Sequence, residues 1–313
     1  MTQISSPQPR RQRRGFCLAI FGLLGARASR PQYLAKSCSR AGGTPALPGG
    51  RRLFLALVTL LAACTAKEPA PKQTPHRIVT LAPNVTEMVI ALGAADRIAG
   101  TDDFSAVPNR SVPRVGGIQP NLEKIVAVRP DLVIANAAGL PPTLGRALAA
   151  VHIPLLVVTN ERLDDITKSM TSIAKALGID SKPALDALHA SLAHQLRTRR
   201  NPTRVMLAVW TDPLYVAGRN TFADDLITLC GARNAVQVDG WPSYSLESFV
   251  AHPPDLLLYP SHSVTPEAVK ALLARAGTKN VVAIPVDENL FTRPGPRVGE
   301  AGAILNGILD GRR

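Results

Sequence analysis

NLEKIVAVRPDLVIA, residues 121–135, returns further along the chain as SLESFVAHPPDLLLY, residues 245–259. The two stretches carry Leu, Glu, Val, Ala, Pro, Asp and Leu at the same offsets. Leu122, Ile125 and Val126 share one face at helical spacing, as do Leu246, Phe249 and Val250. Pro130 and Pro253 then stop each helix, because the residue before a proline is pushed out of the helical region. The runs 131–135 and 255–259 are almost wholly apolar, as strands of a parallel sheet covered on both faces must be. One helix-strand unit used twice predicts an α/β protein of two similar lobes with mainly parallel sheets.

The remaining periodicity extends this plan. A strand is expected at 76–81, then a helix over 83–92 with Asn84 or Thr86 near its cap, and a short strand at 97–100. A polar loop, 102–110, and a Gly116–Gly117 hinge lead to the first repeat; helix 144–150, strand 153–158 and helix 163–177 complete a first lobe over 76–180. Residues 181–202 are expected to form one long connecting helix with Leu185, Leu188, Leu192 and Leu196 along one stripe. The second lobe, 203–313, opens with a strand at 204–210. It closes with helix 266–276, strand 281–286 and helix 298–309.

Charge is distributed unevenly. Of the 36 Lys and Arg, ten fall in the first 63 residues, which hold no Asp or Glu; the rest carries 26 basic against 23 acidic residues. The net charge of +13 therefore belongs mostly to the amino terminus. A nucleic-acid partner, which needs a basic face on the folded domain, is not expected.

Arg51 and Arg52 precede a short apolar run that ends in small residues before Cys64, the pattern of an export signal. Cys64 directly after Ala62 and Ala63 is similar to a bacterial lipobox, which makes Cys64 the candidate lipidation site and 64–75 a flexible tether. The protein is accordingly expected on the periplasmic side of a bacterial membrane, lipid-anchored. Residues 1–50 fit a signal poorly and read as an extension upstream of the true start. Cys17 and Cys38 lie in that segment, which leaves Cys230 as a lone, buried thiol.

With the repeat, the connecting helix and the export signal in place, the chain resembles the periplasmic cobalamin-binding proteins of ATP-driven importers. More broadly it is similar to the helical-backbone metal receptors, or class III substrate-binding proteins, which include ferric-siderophore and haem binders. The resemblance spans about residues 75–311 and is carried by RIVTLAPNVTEMVIALG at 77–93, by the first repeat, and by WPSYSLESFVAHPPDLLL at 241–258. It implies two lobes joined by a single long backbone helix, and a corrinoid or related chelate in the cleft between them. It also implies a monomer that partners the permease and ATPase subunits of an importer and has no cofactor of its own, any cobalt or iron arriving inside the ligand.

The resemblance implies roles for individual residues. Glu123 and Glu247 match the pair that docks onto permease arginines, although spacing alone is met equally by a solvated helix face. Phe104, Trp241, Phe291 and Arg297 match ligand-contacting positions; from the residues alone Trp241 also reads as a lobe-packing aromatic, Phe104 and Phe291 equally as core plugs, and Arg297 as the start of the last helix. Gly117, in Gly116–Gly117, and Asn136 stand where cobalamin binders of the best-known type have further tryptophans. Cys230 matches one half of a family disulfide whose other half is missing here, near Leu305.

Other classes find little support in the residues. No nucleophile elbow, phosphate loop, dinucleotide fingerprint or His-Glu-x-x-His is present, which argues against an enzyme. A receptor for a bare metal ion would need several His and carboxylates in the cleft, and His262 with Asp287 are too few.

Overall fold

The computed structural model describes residues 74–311. The expected export signal, Cys64, Cys17, Cys38 and nearly all of the tether lie outside these residues. Among the described residues no helix is long and apolar enough to cross a membrane.

The first lobe alternates β1 (Ile78–Thr80), α1 (Pro83–Ala91), β2 (Ile98–Thr101), α2 (Leu122–Ala127), β3 (Leu132–Asn136), α3 (Leu144–Ala150), β4 (Leu155–Val158) and α4 (Leu163–Leu177). Its strands lie in the order β2-β1-β3-β4, all parallel. After α5 (Lys182–Ala193) come β5 (Arg204–Thr211), β6 (Leu214–Val216), α6 (Phe222–Leu229), β7 (Arg233–Asn234), α7 (Leu246–Ala251), β8 (Leu256–Pro260), α8 (Pro266–Arg275), β9 (Val282–Val286), α9 (Glu288–Phe291) and α10 (Val298–Leu309). The second sheet runs β6-β5-β8-β9, with β7 also beside β5; only the β5–β6 pair is antiparallel. The expected α/β fold with two mainly parallel sheets is therefore present.

The repeat has a clear mechanical meaning. In each copy the helix starts on a side-chain cap: Asn121 Oδ1 accepts from Lys124 N at 3.0 Å, and Ser245 Oγ accepts from Ser248 N at 3.1 Å. One large apolar side chain, Ile125 or Phe249, is fully buried beneath it. The shared Asp then ties the following strand to the first strand of its lobe. Asp131 Oδ2 accepts from His76 N and Arg77 N, both at 2.9 Å, while Asp255 Oδ2 accepts from Arg204 N at 2.8 Å. The reverse bonds, Asp131 N to Arg77 O and Asp255 N to Arg204 O, are each 2.8 Å. The repeated offset of this Asp thus sets the register of β3 on β1 and of β8 on β5.

Alternation along the strands builds three cores. Ile78 in β1 and Val205, Leu207 and Val209 in β5 point into one cluster shared by both lobes, together with Met88, Ile166, Met170, Phe222 and Leu305. The alternate residues point outward: Val79 packs with Val115, Ile125 and Val133, and Met206 with Phe249 and Leu257. Two ion pairs cross between the lobes beside the shared core, Arg162 with Asp225 and Arg297 with Glu87.

Two local expectations are corrected. The connecting helix stops at Ala193 rather than continuing to about residue 200. Beyond it the chain is recruited by the second lobe: Arg197 N donates to Leu229 O at 3.0 Å, Arg199 Nε to Cys230 O at 3.0 Å, and Asn306 Nδ2 to Gln195 O at 2.9 Å. Leu196, expected on the buried stripe, is 63% exposed as a result. Helix α1 has no side-chain cap: Ala82 is its N-cap, Thr86 is buried, and Asn84 Nδ2 instead reaches Pro294 O at 3.2 Å in the second lobe. The polar loop expected over 102–110 is present, and its first residue, Asp102, is buried, 2% exposed.

Cys230 is buried and free, as expected, and burial pushes its thiol up to about 11. Its Sγ donates to Gly302 O where α10 closes on the second lobe. On the same face of α10, a Cβ at Gly299 would overlap Ser191 Oγ and approach Ser191 Cβ to 2.8 Å, so the α5–α10 contact requires glycine there. Gly299→Ala is expected to destabilise the protein by about 1–3 kcal/mol, as overpacking does. Gly145→Ala in α3, where the nearest atom to a new Cβ is 3.7 Å away, should stabilise by up to about 1 kcal/mol. Urea midpoints of the two variants check both.

Candidate functional site

The carboxyl ends of β1, β2 and β3 open onto a cavity of about 150 Å³ in the first lobe. In an open α/β sheet this is the edge where loops diverge and leave room for a ligand. Leu81, Phe104, Gly117, Ile118, Asn136 and Leu140 are among its walls. Three of the six expected ligand residues, Phe104, Gly117 and Asn136, therefore meet in one place.

Phe104 keeps 40% of its surface exposed in the loop after β2. Gly117 makes room for the ring, since a Cβ there would stand 3.1 Å from Phe104 Cε2. Asn136 ends β3, and its Oδ1 accepts from Ala138 N at 3.3 Å, which shapes the loop on the far wall.

A buried polar network beneath the loop fixes Phe104. Asp102 Oδ2 accepts from Phe104 N at 3.1 Å, and Asp102 Oδ1 accepts from the Ser105 hydroxyl. Ser105 Oγ and Thr86 Oγ1 are 2.8 Å apart, and Thr86 Oγ1 and Thr80 Oγ1 are 2.6 Å apart. Arg114 Nη1 donates to Thr101 Oγ1 at 3.0 Å, to Asp102 O at 2.8 Å and to Ser105 O. All four members of the chain, Thr80, Thr86, Asp102 and Ser105, are buried, so each hydrogen bond replaces a lost bond to water. Burial raises the Asp102 carboxyl above its ordinary value; the Ser105 hydroxyl, the Phe104 N–H and the charge of Arg114 oppose it without winning.

The other expected residues lie elsewhere. Trp241 is half-buried in the loop before α7, its ring tilted on Phe222 at 5.7 Å and 43°, and it packs on the shared core. Phe291 is 2% exposed and belongs to that core, so in this conformation it is a packing residue and not a cleft aromatic. Arg297 pairs with Glu87 Oε1 at 3.2 Å, which holds its guanidinium pKa up, and it walls a second cavity of about 470 Å³ with Leu188 and Pro296. Among the described residues no group of three or more His, Cys, Asp or Glu could hold a metal ion.

Glu123 and Glu247 are both exposed and occupy the same place in the first turns of α2 and α7. The Glu247 backbone N–H and then the Ser245 hydroxyl hold the Glu247 carboxyl below its usual range. The residues that sequence reading missed are Asp102, Thr86 and Ser105. Their only sequence signal is an Asp at the carboxyl end of a strand, which also reads as an ordinary turn.

Two α/β lobes on one shared core, with a largely apolar cavity at the strand ends, define a two-lobed ligand-binding protein. The chain belongs to the periplasmic binding protein family, whose pattern matches residues 78–285. It is an extracytoplasmic substrate-binding protein of an ABC importer, a partner of permease and ATPase subunits and not an enzyme. The vitamin B12-binding protein of Pectobacterium atrosepticum is 29% identical over 260 residues, 78% of this chain and 91% of that protein. An ABC transporter substrate-binding lipoprotein of Bacillus subtilis is 29% identical over 253 residues, 73% of this chain and 78% of its own length. Among solved structures, the apo periplasmic heme-binding protein of Roseiflexus superposes with a TM-score of 0.66 at 25% identity, over 76% of this chain and 99% of that one.

The raised Asp102 pKa gives a stability prediction. The folded state takes up this proton more readily than the unfolded chain, so the contribution is fully present below the unfolded value and is lost as pH rises through the folded one. Asp102→Asn keeps both hydrogen bonds without the buried charge. Urea unfolding should find the variant at least as stable as the parent near neutral pH, with its advantage shrinking as the pH is lowered through the carboxylate range. A lower midpoint for the variant near neutral pH would show instead that the charge stabilises the loop.

Proposed function

We propose that the protein binds cobalamin or a related corrinoid in the cleft between a first lobe over 76–180 and a second over 203–313, linked by 181–202, and delivers it to a permease. The observation that carries this reading is the strand-end cavity with Phe104 standing exposed on Gly117. It would take one edge of the macrocycle, with the ring of Phe104 against a flat apolar face. The kinship to a vitamin B12-binding protein supports the corrinoid. A haem or ferric-siderophore ligand is the second reading, favoured by the likeness to a heme-binding structure.

Lipidation of Cys64 and tethering through 64–75 follow from the sequence pattern, and a relative named as a lipoprotein agrees with them. Glu123 and Glu247 are the proposed docking pair. Exposed carboxylates on two lobes held by a common core keep a fixed separation, which suits recognition of basic groups on a partner and acts mainly on orientation and on-rate.

Intrinsic fluorescence titrated with cyanocobalamin, haem and a ferric hydroxamate tests the ligand. Saturable quenching by the corrinoid is expected, weakened about tenfold or more in Phe104→Ala. Saturation by haem or the hydroxamate alone would transfer the site to that chelate. For docking, Glu123→Ala with Glu247→Ala should leave ligand affinity unchanged and abolish uptake in cells; undiminished uptake would remove the docking role.

A further inference from the structure

Among the described residues that wall the strand-end cavity, Asp102 alone is ionisable. Its carboxylate oxygens are held by uncharged donors, the Ser105 hydroxyl and the Phe104 N–H. Each oxygen of an ionised carboxylate can accept more than one hydrogen bond, so Asp102, which lines the cavity, keeps acceptor capacity beyond these two bonds. Arg114 attracts the carboxylate through space, but its Nη1 donates to the Thr101 hydroxyl and to two backbone carbonyls. The remaining walls are largely apolar, with the Asn136 amide opposite.

A buried acceptor in such a wall discriminates by charge. A ligand edge bearing N–H donors gains a charge-assisted hydrogen bond to Asp102. An edge bearing a carboxylate meets like charge at a buried acceptor, and such juxtaposition is how sites reject a competitor of similar shape. The two chelate classes proposed above differ in this chemistry: the corrin periphery carries amides, and the haem periphery carries two propionates. We propose that Asp102 is a specificity-determining residue that selects amide-edged chelates and excludes carboxylate-edged ones from this cavity. The inference rests on the cavity being the ligand site, but it holds for whichever macrocycle binds.

Two matched pairs test it on the intact protein: cyanocobalamin against its carboxylic acids made by hydrolysing peripheral amides, and haem against its bis-amide. The wild type is expected to bind the amide member of a pair about tenfold or more tightly than the acid, and Asp102→Asn to bring the ratio within about twofold. In that variant the amide oxygen can accept from Phe104 N and the amide nitrogen can donate to Ser105 Oγ, so the loop is retained. Exposed Asp103 serves as the control, and Asp103→Asn should keep the wild-type ratio. An unchanged ratio in Asp102→Asn, a wild-type preference for the acids, or an equal shift in Asp103→Asn would each overturn the assignment. If only the haem pair binds and its ratio depends on Asp102, the corrinoid reading falls and this inference stands. If neither pair binds, both fall.

Discussion

The apolar cluster shared by the two sheets is the constraint on which the rest depends. β1 and β5 each turn alternate residues into it, so Ile78 and Val205 belong to one core while Val79 and Met206 belong to separate outer ones. A sheet whose inner face is buried against its neighbour's elements cannot separate from it without exposing that face to water. The crossing pairs, Arg162 with Asp225 and Arg297 with Glu87, sit at the margin of this core. Being partly exposed, they add orientation more than stability. The lobes are thereby held as two platforms at a set spacing, which a protein that presents a ligand to a fixed membrane partner requires.

The repeat is the second layer of the same design. Each lobe starts its central strand from a short segment whose backbone N–H is held by the repeated Asp, and each places a capped six-residue helix immediately before the next strand. The same local solution gives the same surface: one carboxylate on each lobe, in the first turn of its helix. The proposed ligand edge lies at the carboxyl ends of the strands, and the proposed docking carboxylates lie in the first turns of α2 and α7.

At the cavity, the physics differs from that of the core. Phe104 owes its exposed position to a polar chain below it, Asp102 to Ser105 to Thr86 to Thr80, which anchors the loop to β1 and α1. A loop fixed by buried hydrogen bonds holds its aromatic ring in place in advance, which would lower the ordering cost of the proposed binding.

The strands, most helices and the two-lobed plan were legible in the sequence because they rest on local periodicity and on proline and glycine signals, as with α10, which begins and ends where its pattern does. The exposed Glu123 and Glu247 were legible for the same reason, and the lone buried Cys230 because the other cysteines fall in the amino-terminal segment. What the tertiary structure alone decided was where elements yield to their neighbours. The connecting helix stops at Ala193 because the second lobe takes the hydrogen bonds of the following residues. Phe291 and Trp241 pack where the shared core needs volume, whereas Phe104 remains exposed because a glycine and a buried carboxylate hold it there. Aromatic residues in loops look alike in one dimension, since burial depends on contacts between residues far apart in the chain.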